Sequence, residues 1–346
     1  MIGIALFEEA LRNPNILKQK GFLFGILISL IFLVGSFFYG SDTYGLRELL
    51  FGVGEKQHGL LLPISLGLLF FLLINENKKS LERMVHISLG AAFFVTIIAI
   101  LENVLHYNIF TGSEFQNTGS WGTIRSTSTL GNPNYVAGYL LAHIPLLYYR
   151  VHRWEKYLGL ALLVLGIGMT GSVIGMTLST FFFMALILKK TFPKNWLPIL
   201  FFLVITGGTV LSIYLSGGEK WLSLTSRFVL MGESLLGNIN SPIHILVGQG
   251  PMGIIDYYEA SRSLIIGKYF PSSMIIDSSH NIFIDFFFQY GFIGLVFLVY
   301  PIFYFWRNYD QASKWSIILL LSFLSLNVFV VSHLILFCLV LARNER

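Results

Sequence analysis

One histidine and two arginines carry the residue types that could do acid–base and anion chemistry in this chain. His280 lies in Asp277-Ser278-Ser279-His280-Asn281-Ile282-Phe283-Ile284-Asp285. This stretch ends the longest polar segment and opens an apolar run that continues to about Tyr304. A helix is predicted to begin here with His280 in its first turn, capped by Ser278 or Ser279, because a serine hydroxyl accepts from free first-turn N–H groups. The partial positive charge of a helix N-terminus disfavours imidazolium and would keep the ring a neutral base. Taken alone, His280 reads first as an interfacial capping residue.

Arg125 lies upstream of Leu130-Gly131-Asn132-Pro133-Asn134 in the loop 106–134. Asn before Pro is a strong helix-start signal, since Asn caps and Pro takes the first helical position. A guanidinium beside free first-turn N–H groups makes a ready phosphate site; a loop arginine bonded to neighbouring carbonyls fits the same residues. Arg227 follows Thr225-Ser226, either of which would cap a short amphipathic helix with Arg227 in its first turn. Phe228, Leu230, Met231 and Leu235 would then face the membrane surface or the helix bundle.

The cluster Val247-Gly248-Gln249-Gly250-Pro251-Met252-Gly253 lacks the Lys-Ser/Thr of a Walker motif and the strand–helix setting of a dinucleotide fold, which excludes ATP and NAD readings. It predicts a tight turn bringing its loop back over the bundle. Asp256, Tyr257, Tyr258 and Glu259 suit a carbohydrate-facing surface or an ordinary solvated loop. No histidine or carboxylate stands at helical ligand spacing from His280, and Asp285 would lie about 140° away on a helical wheel. A metal site is therefore poorly supported. No nucleophile-elbow sequence supports a serine nucleophile.

The elements that must position these residues are, by composition, membrane helices. The 346 residues are 55% hydrophobic and 12% charged, with 32 Phe and a mean hydropathy of +0.71, the profile of a polytopic membrane protein. The net charge of +5 comes from short clusters between apolar runs, not from a basic stripe, so nucleic acid is excluded as a partner. The single Cys338 excludes an intrachain disulfide and a cysteine metal site. Glu8, Glu9, Arg12 and Lys18 precede a first apolar run too long for a cleavable signal. Apolar runs cover about 21–39, 59–74, 85–105, 135–149, 157–188, 196–215, 281–304 and 315–342. The run 157–188 overshoots a ~30 Å hydrocarbon core and is predicted to split at Thr170-Gly171-Ser172. The last run, interrupted at Asn327 and Ser332-His333, is one helix or two. The fold expected is an all-α polytopic bundle of about nine or ten spans, one membrane domain over 1–346, with 216–279 as a large extracytoplasmic loop.

With that split, the Lys/Arg clusters of the tail, 75–83, 150–156, 189–194 and 305–314 all fall on one side. The positive-inside rule makes that side, and the N-terminus, cytoplasmic. The loops carrying Arg125 and Arg227, and the turn carrying His280, then face outward.

The ordered set of Leu130-Gly131-Asn132-Pro133-Asn134 with an upstream arginine, Thr170-Gly171-Ser172, Ser226-Arg227, Gly248-x-Gly250-Pro251 and His280-Asn281-x-Phe283-x(7)-Gly291-Phe292-Ile293-Gly294 resembles the O-antigen ligase/polymerase family over roughly 120–300. The resemblance implies a bacterial cytoplasmic-membrane glycosyltransferase. Such an enzyme uses an undecaprenyl-diphosphate-linked glycan as donor on the outer face, with no nucleotide sugar, metal or other cofactor. It implies His280 as base and Arg125 and Arg227 as holders of the lipid diphosphate. Asn132, Asn134, Asn281, Gly248 and Gly250 are implied as diphosphate- and glycan-binding positions. The acceptor is a second lipid-linked glycan in a polymerase, or lipid A core or a protein side chain in a ligase. The small size points to a polymerase. Two departures are the short region after 305 and Gln289, where an acidic residue is frequent in the family.

In the reaction expected, His280 takes the acceptor hydroxyl proton, the oxygen attacks the anomeric carbon in line, and the configuration inverts. The arginines stabilise charge on the departing diphosphate. The competing class is a transporter or flippase of a lipid-linked or anionic substrate. It would place charged residues within spans, and here Glu102 and Asp285 lie near span ends, with no inverted repeat evident.

Overall fold

A computed structural model describes residues 61–110, 112–114, 125–151, 153–188, 203–204, 207–208, 219–250, 253–261, 266–270, 276, 278–306, 309–327 and 330–342. The expectations for residues 1–60 (the tail, the first run and the loop 40–56), for 115–124, and for most of the run 196–215 lie outside these residues. The described chain is mostly helical, as an all-α fold requires. A two-residue antiparallel pair, Tyr107–Asn108 with Ser113–Glu114, closes a turn in the loop after the second helix below.

The helices run α1 Leu61–Asn75, α2 Lys78–Leu105, α3 Pro133–Arg150, α4 Arg153–Met169, α5 Val173–Leu188, α6 Glu219–Ile239, α7 Pro242–Val247, α8 Gly253–Ser261, α9 Ile282–Phe305, α10 Gln311–Leu324 and α11 Val331–Ala342. Among the described residues, α2 is the one helix long and apolar enough to cross a membrane. Several long apolar runs are broken in the structure. The run 157–188 divides into α4 and α5 at Gly171, whose φ is 59°, as expected. The last run divides into α10 and α11, with Asn327 in the break and Ser332-His333 inside α11. The 16 residues of α5 rise only ~24 Å, less than a ~30 Å core.

Contacts group the chain into two compact units. One comprises residues 82–225 and 310–336, and α3 is its central helix, buried over most of its length between Val136 and Leu147. Small residues bring the neighbouring helices close. A Cβ added at Gly138 would lie 2.6 Å from the Phe323 ring and 2.9 Å from His333 Nε2, and one at Gly175 would lie 3.0 Å from Ala137 Cβ. Ser316 Oγ donates to Ala142 O at 2.8 Å, and His333 Nε2–H donates to Tyr135 O at 3.0 Å. At one end of this unit Arg150 Nη1 donates to Glu82 Oε1 at 3.0 Å, and its Nη2 pairs with Asp310. Asp310 also caps α10 by accepting from Ser313 N. The start of α2, the end of α3 and the start of α10 are thereby tied together. These ends carry three of the basic segments assigned to one side of the membrane.

The other unit comprises residues 1–81, 226–309 and 337–346. Within it, α7 and α8 pack against α9. Leu230, Ile254, Tyr258, Ile266, Ile276 and Phe288 form its core, with Ile255, Tyr257 and Phe270 packed against it. The described residues between Leu230 and Ile276 therefore share a small core with Phe288 of α9. Tyr258 is fully buried within it, and its hydroxyl donates to Leu230 O at 2.9 Å, so it is not the carbohydrate-facing group its neighbourhood suggested. Burial pushes its phenol well above the ordinary value.

The decisive local feature is a break in α9. Gly291 has φ 63° and ψ −158°, so Ile282–Phe305 is two helical pieces with a kink. A broken helix strands carbonyls that must find donors when buried. Here Phe287 O and Phe288 O accept from Asn238 Nδ2 at 2.6 and 3.4 Å, Phe288 O accepts from Gln249 N at 2.9 Å, and Gln289 O accepts from Gly250 N at 2.9 Å. Gly248 makes that approach possible. A Cβ there would lie 2.4 Å from Gln289 and Tyr290 backbone atoms, and one at Gly291 would lie 2.3 Å from the Leu246 carbonyl. The tight turn over the bundle predicted for the glycine cluster is thus a backbone-to-backbone contact with α9. Gly248→Ala meets backbone that cannot swing aside and a φ of 76°. It should lower stability by about 3 kcal/mol or more, read as a large drop in detergent melting temperature.

Candidate functional site

The Arg125 side chain lies in the first unit, among the start of α3 and the end of α4. As predicted, Asn132 caps α3, its Oδ1 accepting from Asn134 N at 2.9 Å with Pro133 at the first helical position, a contact worth ~1 kcal/mol. Asn134 Oδ1 in turn accepts from Arg125 Nη2 at 3.2 Å, and Arg125 Nε donates to Thr170 O at 3.1 Å. The stem rests on Gly171, where a Cβ would come within 3.3 Å of Arg125 Cγ. The glycine of the α4–α5 break is thus also the platform for the arginine. A guanidinium has five donors. Two are used, and the other three have no partner among the described residues. Burial lowers the pKa of the group, yet an arginine keeps its charge at neutral pH.

The turn that presents Arg125 is held by a residue that its sequence context did not single out for this role. Glu102, fully buried at the end of α2, accepts at Oε2 from Ser126 Oγ (2.6 Å), Thr127 N (3.1 Å) and Ser128 N (2.7 Å). Ser126 N also donates to Met169 O at 3.1 Å. Ser128 is held at φ 44°, a left-handed conformation.

His280 is not in the first turn of a helix. The cap of α9 is Asn281, whose Oδ1 accepts from Phe283 N at 2.9 Å and Ile284 N at 3.2 Å. His280 immediately precedes the cap, half-buried, with φ 62°. Asparagine outcompetes the serines because its side chain serves two N–H groups from the cap position. The serines bond elsewhere. Ser278 Oγ donates to Asp285 Oδ2 at 2.6 Å, and Ser279 N and Oγ both donate to Asp285 Oδ1 at 2.7 Å.

Arg227 also differs from expectation. It lies in the third turn of a 21-residue α6 that begins at Glu219, not in the first turn of a short helix capped by Thr225 or Ser226. Glu219 suits a helix N-terminus, and nothing in Lys220–Leu224 breaks the helix. Leu230 and Met231 are buried, and Phe228 and Leu235 are exposed; the expected face against the bundle or a membrane surface admits both. Arg125, Asn132 and Asn134 belong to one unit; Arg227, Gly248, Gly250, His280 and Asn281 belong to the other. The side-chain oxygens of Asn132 and Asn281 serve as caps, and Gly248 and Gly250 serve the contact with α9.

No family model, curated protein or solved structure matches the chain.

Proposed function

We propose that the chain is a polytopic membrane glycosyltransferase that transfers or polymerises a polyprenyl-diphosphate-linked glycan on the outer face of the bacterial cytoplasmic membrane, as the O-antigen ligase/polymerase resemblance implies. The observation that carries this reading is the Arg125 guanidinium, half-buried on its glycine platform beside the first turn of α3, with three donors that meet no partner among the described residues. A half-buried cation with a fixed fork and no carboxylate partner among the described residues suits an anion, and a diphosphate develops charge as its bond to the sugar breaks. The half-buried, left-handed His280 supports the base assignment, because backbone strain concentrates where function needs it. The membrane orientation draws support from the Glu82–Arg150–Asp310 network, which gathers basic segments at one end of their unit. The exposed stripe Ile87, Phe94, Ile97, Leu101 and Val104 along α2 suits lipid. His280 takes the acceptor proton; the acceptor oxygen forms the new bond to the anomeric carbon; the bond to the diphosphate breaks, and that group leaves with the electron pair.

The test is covalent. Purified protein in liposomes receives lipid-linked oligosaccharide, and products are resolved on a gel. Glycan should change carrier, with inverted configuration, and at an undiminished rate in EDTA. Loss in chelator restored by a divalent ion would contradict the metal-free mechanism. Lipid crossing the bilayer with no glycan ever changing carrier would make the chain a transporter.

A further inference from the structure

We propose that Asp285 is the positioning residue of His280. This inference rests on the assignment of His280 as the base. Asp285 sits in the first turn of α9, almost wholly buried, and its carboxylate takes three short hydrogen bonds from the two residues before the histidine. Such charge-assisted bonds are about twice as strong as neutral ones. The chain of bonds reaches the histidine itself: His280 N donates to Ser278 Oγ at 2.9 Å, and that hydroxyl donates to Asp285. On the other side Asn281, locked as the cap of α9, accepts at its carbonyl from Asp285 N at 2.8 Å. The backbone of His280 is therefore pinned before it by the Asp285 carboxylate and after it by the Asp285 N–H, contacts that converge on one residue.

The pinning has a purpose visible in the backbone. A histidine at φ 62° holds an unfavourable conformation, which persists only where the surroundings over-determine it. Released from Asp285, the turn would relax to negative φ and swing the imidazole to another direction. The Arg125 turn repeats the device independently. There Glu102, equally buried, clamps Ser126–Ser128 and holds Ser128 at positive φ. In both, a serine-rich turn next to a candidate site residue is fixed by a buried helix-end carboxylate.

The experiment compares the unaltered protein with Asp285→Asn and Ser279→Ala, full-length and in lipid nanodiscs. Asp285→Asn keeps shape but loses acceptor capacity; Ser279→Ala removes one donor and leaves the carboxylate. Two readouts are taken: kcat and KM for transfer from a lipid-linked oligosaccharide, and the rate at which diethylpyrocarbonate acylates His280, followed by peptide mass with the exposed His86 as internal control. Both variants are expected to lower kcat on the order of tenfold to a hundredfold with KM unchanged. Both should change the His280 acylation rate severalfold without changing that of His86. An unchanged His280 rate in the folded variants overturns the proposal, whatever happens to transfer. So does a fall in kcat matched by an equal change at His86, which reports general loosening. If the unaltered protein transfers no glycan, the glycosyltransferase reading fails, and the acylation rates still decide whether Asp285 sets the histidine.

Discussion

His280→Gly is expected to melt at or above the temperature of the unaltered protein while losing glycan transfer by at least about a hundredfold. The two effects share one cause. A φ of 62° costs an L side chain roughly 1–3 kcal/mol, and glycine adopts it freely. The substitution relieves the turn and removes the imidazole proposed as the base. His280→Ala deletes the same imidazole and keeps the Cβ, so it should be equally inactive and melt below the glycine variant. Thermal unfolding in detergent and transfer in liposomes read the two properties separately. Near-normal transfer by either variant would remove the base assignment. A glycine variant less stable than the alanine one would show that left-handed backbone is not what strains the turn.

Arg125→Lys is expected to lower kcat by roughly 10²–10³ with little change in KM, although it preserves the charge. The lysine ammonium is a point charge on a flexible stem. It cannot donate to Thr170 O from the Nε position, reach Asn134 from a second nitrogen and still present a fork. Arg125→Ala should abolish transfer and also lower stability by ~1–3 kcal/mol, because the buried Thr170 carbonyl and the half-buried Asn134 lose their donor. The lysine variant separates two roles. Were Arg125 only a staple between α3 and the α4–α5 break, lysine would retain transfer in proportion to stability. A selective loss of turnover at near-normal melting temperature is the signature of a group that meets developing charge.

The elements legible in the sequence were those set by local chemistry. Asn132-Pro133 marked the start of α3 to the residue, since both its signals are side-chain and ring properties of adjacent positions. Thr170-Gly171-Ser172 marked the α4–α5 break for the same reason. The glycine cluster announced a tight turn, but its partner, the α9 backbone around Gln289 and Tyr290, lies some forty residues away and left no mark in the cluster itself. His280 was misplaced because three neighbouring polar residues compete for one cap. The competition is settled by Asp285, which takes the hydroxyls of Ser278 and Ser279 from beyond the cap, six and seven residues later. On a helical wheel, Asp285 and His280 point apart; with His280 outside the helix, the wheel does not apply. Glu102 stood out only as a carboxylate near the end of an apolar run. Its three donors come from a turn more than twenty residues later.

The kink at Gly291 also bears on the order in which the protein can mature. Gln249 and Gly250 donate to carbonyls that belong to a later stretch of chain. Asn238 does the same from α6. As the polypeptide leaves the ribosome N-terminus first, the segment 226–261 emerges with these donors unmet and Phe288, a member of its core, not yet made. It must wait until Ile282–Gly291 is delivered. This part of its unit is thus completed from behind, by a helix whose break supplies the acceptors for its donors.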